Sequence, residues 1–324
     1  MRHLAVVGAT GLVGRQMLAS LETFNLPIKE LTLYASARSA GEVVMFKEQP
    51  ITVKALTEAT IDPSIDVALF SAGALTALTY APLFTAMGIM VIDNSSAFRD
   101  QAPLIVPEVN PHHIGFEDRI LANPNCSTIQ SVVPLAIIHQ HAPLESVLYN
   151  TYQSVSGSGQ KGIDALNAEL SGEVPSHYPK PIAHNVLPHI DAMLPSGYTK
   201  EEMKMIQETR KILALDTLSV SATCVRVPVF QGHAVSVSVR TQTPVDIKKL
   251  EATFEAHPAL LYYHAPTYPT PIEVAGEHRI HLGRLRRDLN DPKTLHFWCV
   301  ADNILKGAAT NAVQILKLVL EGRT

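Results

Sequence analysis

The first 95 residues alternate short apolar runs with stretches of helical spacing. Four apolar runs have the length of buried strands: Leu4–Val7, Leu31–Tyr34, Val67–Phe70 and Met90–Asp93. Two stretches between them have helical periodicity: Leu12–Leu21 and Tyr80–Met87. Such alternation is typical of βαβ units on a parallel sheet. Ligands of these sheets bind at the carboxyl ends of the strands.

After residue 124 the pattern changes. Three segments are predicted to be helical: 127–140, 162–170 and 200–213. Three alternating runs are predicted to be strands: 147–154, 219–229 and 233–243. A loop at 266–271 precedes a final amphipathic helix at 305–320. The alternation indicates a mixed, largely antiparallel sheet. We therefore predict an α/β fold: a Rossmann-type parallel-sheet domain (residues 1–124 plus 305–324) and a second α/β domain (residues 125–304).

Composition narrows the function classes. The formal net charge of the 324 residues is −4, which gives little electrostatic support for binding to nucleic acid or to an anionic membrane surface. No apolar run approaches the roughly 18–20 residues of a membrane span. The three cysteines are widely spaced, which fits neither a disulfide framework nor a metal site. We expect a cytoplasmic protein that acts on a small anionic molecule and binds no metal.

A glycine turn follows the first predicted strand. A tight turn needs Gly8, close approach of a pyrophosphate needs Gly11, and packing of the following helix on the strand needs Gly14. The spacing is G-x-x-G-x-x-G rather than the dinucleotide signature G-x-G-x-x-G. A strand–helix turn without a ligand is the alternative.

The second predicted strand ends without an acidic residue. NAD-binding domains usually carry an Asp or Glu there that bonds the ribose 2′-hydroxyl. This chain has Ser36, Arg38 and Ser39, which suit a 2′-phosphate, so NADP is favoured over NAD. A solvated surface arginine is the alternative for Arg38.

Cys126 is the candidate nucleophile. It lies at the start of a predicted helix, after an Asn-Pro-Asn turn, and a helix N terminus stabilises a thiolate. A small buried hydrophobe is the alternative for any cysteine, and it fits Cys224 and Cys299, which lie in apolar runs. A thiolate nucleophile needs an acid/base partner, and His233 at the start of an alternating run is a candidate. Composition alone does not separate His233 from the other histidines.

These segments together resemble the aspartate-semialdehyde dehydrogenase family, nearly end to end. The resemblance rests on the motif at the nucleophile, the glycine turn and many further segments in register: 8–14, 36–41, 93–99, 106–110, 125–128, 151–153, 156–159, 188–191, 201–204, 208–213, 226–233, 302–303 and 306–309. It implies an NADP-binding first domain, a catalytic and dimerisation second domain, and a homodimer.

The resemblance also implies an activity and residue roles. NADPH would reduce aspartyl 4-phosphate to aspartate 4-semialdehyde through a thioester on Cys126, in lysine (diaminopimelate), threonine and methionine biosynthesis. The other implied roles are acid/base catalysis by His233, orientation of the acyl group by Gln153 and Asn125, phosphate binding by Arg99 and Lys204, carboxylate binding by Arg226 and ammonium binding by Glu201. The implied cofactor contacts are Gly8, Thr10, Gly11, Leu12, Val13, Ser36, Arg38, Ser39, Ser71, Ala72, Gly73, Ser156, Gly157 and Asn303.

Alternatives stay open at this point. An N-acetyl-glutamyl-phosphate reductase or another phosphorylating aldehyde dehydrogenase would share the nucleophile and the histidine. A catalytically silent cofactor-binding or oligomerisation module is the alternative outside enzymes. Glu201 and Lys204 could form an exposed i,i+3 ion pair, and Arg99 could be a surface loop arginine. Three residues depart from the family pattern: Ala74, Ala234 and Val235.

Overall fold

A computed structural model describes residues 2–174 and 177–322, so parts of both predicted domains (residues 1, 175, 176, 323 and 324) lie outside the described residues. The described residues form two compact units. One comprises the residues up to Pro124 together with those from Ala308 onward, and the other runs from Asn125 to Gly307. The second boundary was predicted after residue 304.

The first unit begins with alternating strands and helices: β1 (Arg2–Val7), α1 (Leu12–Thr23), β2 (Ile28–Ala35), β3 (Val43–Phe46), β4 (Gln49–Thr52), β5 (Lys54–Ala55), β6 (Val67–Phe70), α2 (Ala74–Ala86), β7 (Met90–Asp93) and β8 (Ile120–Ala122). Six strands form one sheet in the order β5-β2-β1-β6-β7-β8, with β3 and β4 as a separate hairpin. Every pair in the six-stranded sheet is parallel, as predicted.

The topology of this sheet positions a ligand crevice. The chain first adds strands on one side of β1, beginning with β2, and then on its other side, beginning with β6. Ligands of open α/β sheets bind at such a reversal, at the carboxyl ends of the strands. The predicted helix 80–87 is wrong in its start, because α2 begins at Ala74. Residues 74–79 repeat Ala-Leu-Thr, and this repeat marks no clear apolar face of helical period.

The second unit contains α3 (Cys126–His141), β9 (Leu144–Gln153), α4 (Gln160–Leu170), α5 (Lys200–Leu213), β10 (Ser219–Arg226), β11 (His233–Thr241), α6 (Ile247–Ala256), β12 (Leu260–Tyr263), α7 (Pro271–Val274), β13 (Ile280–Arg287) and β14 (Thr294–Ala301). Its six-stranded sheet has the order β10-β9-β11-β14-β13-β12. The two outer pairs are parallel and the three inner pairs antiparallel, which confirms the prediction of a mixed, largely antiparallel sheet.

Two of the predicted bounds that differ in this unit do so at a proline. The strand predicted to reach residue 229 ends at Arg226, because Pro228 has no N–H to donate to a sheet. The predicted loop 266–271 ends one residue early, since Pro271 opens the short helix α7. Proline suits that first helical position, where its N–H would have no partner.

The final predicted helix is present in two parts. Leu305–Ala309 is a wider π-type turn, and α8 (Thr310–Glu321) continues from it. Within the first unit, α8 packs on α1 and places Val313 and Leu316 in the same core as Leu4 and Met17. Among the residues described, no helix is both long and apolar enough to cross a bilayer.

Candidate active site

The turn that carries Cys126 is held by its own sequence. Cys126 is the first residue of α3, and the Asn125 side chain caps the helix by accepting hydrogen bonds from the N–H groups of Ser127 (3.0 Å) and Thr128 (3.3 Å). This capping fixes the start of α3 at the cysteine. The Cys126 side chain therefore lies at the positive end of the helix, which favours its thiolate.

The other two thiols differ from Cys126 in burial. Cys224 and Cys299 are fully buried, whereas Cys126 is partly exposed. Burial raises the pKa of the Cys224 and Cys299 thiols, so both stay protonated and unreactive. The sequence-based distinction between one nucleophile and two buried thiols fits these environments.

Gly307, a residue that the sequence analysis did not single out, packs directly on Cys126. A Cβ atom at position 307 would lie 2.8 Å from the Cys126 Cβ. Only glycine permits this approach, and Gly307 lies in the π-type turn, an irregularity often found at functional sites. The signal in the sequence was a glycine inside a predicted helix.

A buried carboxylate connects three of the predicted site residues. Glu201 Oε1 accepts hydrogen bonds from Asn125 Nδ2 (2.8 Å) and Gln153 Nε2 (3.2 Å). The Asn125 N–H donates to Glu208 Oε2 at 2.6 Å. The structure thus places Asn125, Gln153 and Glu201 together, and it adds Glu208, which sequence reasoning missed.

Glu201 and Lys204 form a largely buried ion pair. Lys204 Nζ lies 3.1 Å from Glu201 Oε2 and 2.8 Å from Asp191 Oδ2, and the Glu201 side chain is only 7% exposed. The alternative of an exposed surface pair is therefore wrong. Burial alone would raise the pKa of Glu201, but Lys204 and the donors Asn125 and Gln153 outweigh it, so the pKa is lowered and Glu201 is ionised.

His233 is the first residue of β11 and is fully buried. Its Nδ1 accepts a hydrogen bond from the Ser154 N–H (3.1 Å) and contacts the Ser154 hydroxyl (3.0 Å). Its Nε2 has no partner among the described residues. Burial first, and the charge of Arg226 second, lower the pKa of His233 well below its usual value. Because Nδ1 accepts from an amide, the neutral ring carries its proton on Nε2.

Arg226, the last residue of β10, is a buried cation without a carboxylate partner among the described residues. Its Nη1 donates to the Ser154 carbonyl (2.7 Å), and its Nε has no partner there. A Cβ at Gly157 would lie 2.6 Å from this Nη1 and 3.1 Å from His233 Nε2. Gly157 therefore packs against the Arg226 guanidinium and the unpartnered Nε2 of His233.

Two further predicted residues belong to a hydrogen-bonded cluster beside His233. Asn303 Oδ1 accepts from the Ser154 hydroxyl (3.1 Å), the Ser156 hydroxyl (3.2 Å) and the Gly232 N–H (2.9 Å). Both Ser156 and Asn303 are buried. This cluster holds the backbone at Gly232, directly before His233, and the Ser154 hydroxyl that contacts the imidazole.

In the first unit, a cavity of about 460 Å³ lies at the carboxyl ends of β1, β2 and β6. Six of the predicted cofactor residues line this cavity: Gly8, Thr10, Gly11, Ser36, Ser71 and Ala72. Five residues that were not predicted also line it: Val7, Ala35, Leu56, Thr76 and Tyr80. Leu12, Val13, Arg38, Ser39 and Gly73 do not line it.

The glycines of the turn explain how a ligand fits there. Gly8 has φ +87°, and a Cβ on it would lie 2.9 Å from the Ser71 carbonyl carbon. A Cβ on Gly14 would lie 2.1 Å from the Gly8 carbonyl oxygen. Gly11 caps α1 without a side chain, so the first N–H groups of the helix face an approaching anion unobstructed. The turn suits a pyrophosphate.

Arg99 lies in the first unit and is held by the backbone. Its Nε donates to the Ser95 carbonyl (3.1 Å) and its Nη2 to the Asn94 carbonyl (3.3 Å). These bonds fix the direction of the side chain, and its contact with a phosphate remains a prediction.

Comparison with known proteins identifies the family. Residues 3–116 match the family described as semialdehyde dehydrogenase, NAD binding domain, and residues 135–306 match semialdehyde dehydrogenase, dimerisation domain. The chain belongs to the semialdehyde dehydrogenase family.

Aspartate-semialdehyde dehydrogenases are among its relatives in this family. The chain is 47% identical to the aspartate-semialdehyde dehydrogenase of Aquifex aeolicus, with 98% of each chain covered, and 42% identical to that of Bacillus subtilis, with 97% of this chain and 96% of the relative covered. Among solved structures, aspartate semialdehyde dehydrogenase II from Vibrio cholerae is 41% identical with a TM-score of 0.95 and 99% coverage of both chains. The same enzyme complexed with ASA superposes with a TM-score of 0.96, covering 99% of this chain and 98% of that one.

In this semialdehyde dehydrogenase, then, the first unit is an NAD-binding domain and the second a dimerisation domain. The second unit also contains the nucleophile candidate, His233, Arg226 and the Glu201 network. The predicted resemblance and fold class are confirmed.

Proposed function

We propose that this protein is an aspartate-semialdehyde dehydrogenase. It would reduce L-aspartyl 4-phosphate to L-aspartate 4-semialdehyde, a step in lysine (diaminopimelate), threonine and methionine biosynthesis. One observation carries the proposal: Arg226 Nε and His233 Nε2 are buried without partners among the described residues, and Gly157 packs against both side chains, in the unit whose helix α3 begins at Cys126. A buried cation that lacks an anion suits a substrate carboxylate.

The chemistry would begin at Cys126. Its thiolate attacks the acyl carbon, and the C–O bond to the phosphate breaks as inorganic phosphate leaves. Bound NADPH supplies the hydride that reduces the thioester. The oxyanion that results accepts a hydrogen bond from His233 Nε2–H. When the C–S bond breaks, the aldehyde is released and the thiolate returns.

Arg226 would influence the basicity of His233. Burial, first, and the Arg226 charge, second, keep the imidazole neutral in the free protein by lowering its pKa. A substrate carboxylate on Arg226 would offset the charge and raise the pKa of His233, while the effect of burial would stay. His233 would then be a stronger base with substrate bound than without it.

Substrate selection follows from the same groups. The planar guanidinium of Arg226 suits the α-carboxylate, and ionised Glu201 suits the free ammonium. An N-acetylated substrate presents an uncharged amide at that place, so we favour a free amino acid over the N-acetyl-glutamyl-phosphate alternative. Gln153 and Asn125 would orient the acyl group. For the phosphate we propose Lys204 and Arg99.

We propose NADP as the cofactor. The 2′-phosphate would meet Ser36, Arg38 and Ser39, because β2 ends without a carboxylate in that segment. The remaining proposed contacts are Gly8, Thr10, Gly11, Leu12, Val13, Ser71, Ala72 and Gly73 for the dinucleotide, and Ser156, Gly157 and Asn303 for its nicotinamide end.

We propose a homodimer formed through the second unit. Leu148 and Tyr152 project from β9 with 43% and 39% exposure, and Tyr152 contacts Trp298 with 5.6 Å between ring centroids. An exposed aromatic and aliphatic sheet face is typical of an interface between subunits. The described residues form no disulfide, which fits a reducing compartment, and we propose that the enzyme is cytoplasmic. We propose a small-molecule substrate and neither a nucleic-acid nor a membrane partner.

The decisive test is phosphate-dependent reduction of NADP by aspartate semialdehyde, followed by absorbance of NADPH. We expect Cys126→Ala to abolish turnover while NADP binding persists, and Cys224→Ala, which removes a buried thiol, to retain it. His233→Ala should slow turnover about 10²–10⁴-fold. NADPH binding without turnover in the wild type would support the silent module instead, and a preference for N-acetylglutamate semialdehyde would support the reductase alternative.

A further inference from the structure

Gln130 connects the nucleophile helix to the strand of the histidine. It lies four residues after Cys126 in α3, hence one turn further on the same face, and it is fully buried. Its Nε2 donates to the His233 carbonyl (3.1 Å) and to the Cys299 carbonyl (3.3 Å). A single amide group thus joins α3 to the first residue of β11 and to β14.

The backbone of Gln130 makes a second connection. In an α-helix the carbonyl of residue 130 would accept from the N–H of residue 134, but Pro134 has no N–H. The Cys299 thiol donates to the Gln130 carbonyl instead, at 3.1 Å. Pro134 therefore frees a helix carbonyl at the point where β14 supplies a donor, and both ends of residue 130 are tied to the sheet.

The amide of Gln130 is explained by its donor group. Gln130 Oε1 is buried and accepts no hydrogen bond from any described residue. Leaving a buried acceptor unsatisfied is destabilising. A methionine of similar volume would avoid that penalty but would leave the His233 and Cys299 carbonyls without this donor. The amide is therefore explained by what its Nε2 holds, which includes the backbone at His233.

We propose that Gln130 is a positioning residue that fixes His233 relative to the helix of Cys126. The inference rests on the proposed function, because it requires that these two residues act on the same substrate. His233 is held on its other side by Ser154. Without the Gln130 contact, the start of β11 can shift, and a displacement of about 1 Å is enough to slow an enzyme about 10²-fold.

The test is a double-mutant cycle on turnover with Gln130→Met and His233→Ala. We expect Gln130→Met alone to lower kcat about 10- to 100-fold, with the KM for NADP unchanged. In the His233→Ala background the same substitution should lower kcat no further, because there is no imidazole left to position. A purely structural role would lower kcat in both backgrounds.

Ser131→Ala is the matched control. Ser131 is the next residue of α3, equally buried, and its hydroxyl donates within the helix to the Ser127 carbonyl (2.7 Å). This variant should keep its kcat. If Gln130→Met does not fold, Gln130→Asn, which keeps an amide but shortens its reach, enters the same cycle. Equal losses in both backgrounds, or no loss in wild type, would overturn the proposal. Wild-type inactivity, by contrast, would refute the proposed function itself.

Discussion

Arg226→Met is expected to stabilise the protein and to damage its function. Arg226 is buried, its Nε has no partner among the described residues, and its Nη1 donates to the Ser154 carbonyl. Methionine fills similar space without a charge. The substitution therefore removes a cation that the fold buries and, under our proposal, the group that receives the substrate carboxylate.

Opposing terms set the change in stability. An unsatisfied buried donor costs about 1–3 kcal/mol, and burying an ion costs several kcal/mol more. The hydrogen bond from Nη1 to Ser154, which the variant loses, contributes about 1.5–3 kcal/mol. We expect a net gain of about 1 kcal/mol or more in the free energy of unfolding. For a unit of this size that raises Tm by about 2–4 °C per kcal/mol.

The loss of substrate binding should be larger. Removing one partner of a buried, hydrogen-bonded charge pair costs about 2–5 kcal/mol of binding. Since about 1.4 kcal/mol is tenfold in affinity, the KM for aspartate semialdehyde should rise at least about 30-fold. The KM for NADP should not change, because none of the residues lining the cavity of the first unit is altered.

Steady-state kinetics and thermal unfolding of the same preparations test both expectations. Arg210→Met is the matched control, since Arg210 Nε also donates to a backbone carbonyl of this unit, that of Leu218, at 2.8 Å. It should lose some stability and keep its KM for the semialdehyde. A lower Tm for Arg226→Met together with an unchanged KM would refute the reasoning on both counts.

Three further outcomes follow from the structure. Glu201→Gln should raise the KM for the semialdehyde and lower kcat, because it removes the charge beside Lys204 and disturbs Asn125, which caps the helix of Cys126. Lys204→Met, assayed in parallel, should raise the KM for phosphate more than the KM for the semialdehyde. His233 is neutral when folded and takes up a proton only well below its usual pKa, whereas the unfolded chain takes it up near about 6.5. Its contribution to stability is therefore present above that pH and is lost as the pH falls, so in acid-unfolding curves His233→Gln should lose less stability than wild type. Gly14→Ala would place a Cβ 2.1 Å from the Gly8 carbonyl oxygen, and it should reduce both NADP binding, measured by fluorescence titration, and Tm.

Local signals in the sequence were enough for much of the fold. The parallel sheet was predictable because β1 and β6 are continuous apolar runs, and the start of β11 because its residues alternate. The hairpin β3–β4 was missed, since its half-exposed residues carry no clear period. The strands β12 to β14 were missed as well. Their pairing joins distant segments, and β13 contains a register shift between Gly283 and Arg286.

The candidate site was predictable where its chemistry is local. The position of Cys126 at the start of α3 was predictable because the capping asparagine and the helix follow one another in sequence. The partners of Glu201 could not be found that way: Asn125 lies 76 residues earlier and Gln153 48 residues earlier. Glu208 and Gln130 were missed for the same reason, since each acts through a backbone group of a distant segment. Only the fold brings these groups into contact.

The buried polar atoms of the second unit fall into two groups, those that have hydrogen-bond partners within the protein and those that have none among the described residues. Asn125, Gln153, Glu201 and Asn303 hydrogen-bond one another or their neighbours, and such satisfied networks make a structure rigid. Arg226 Nε and His233 Nε2 lack partners among the described residues, although both are buried. A fold selected for stability alone would replace two such nitrogens by apolar atoms at little loss. A side chain at position 157 would meet Arg226 Nη1 and His233 Nε2, so the retention of these two side chains beside Gly157 is the reason to place the substrate carboxylate here, while the satisfied network holds in position the groups proposed to contact the rest of the substrate and the cofactor.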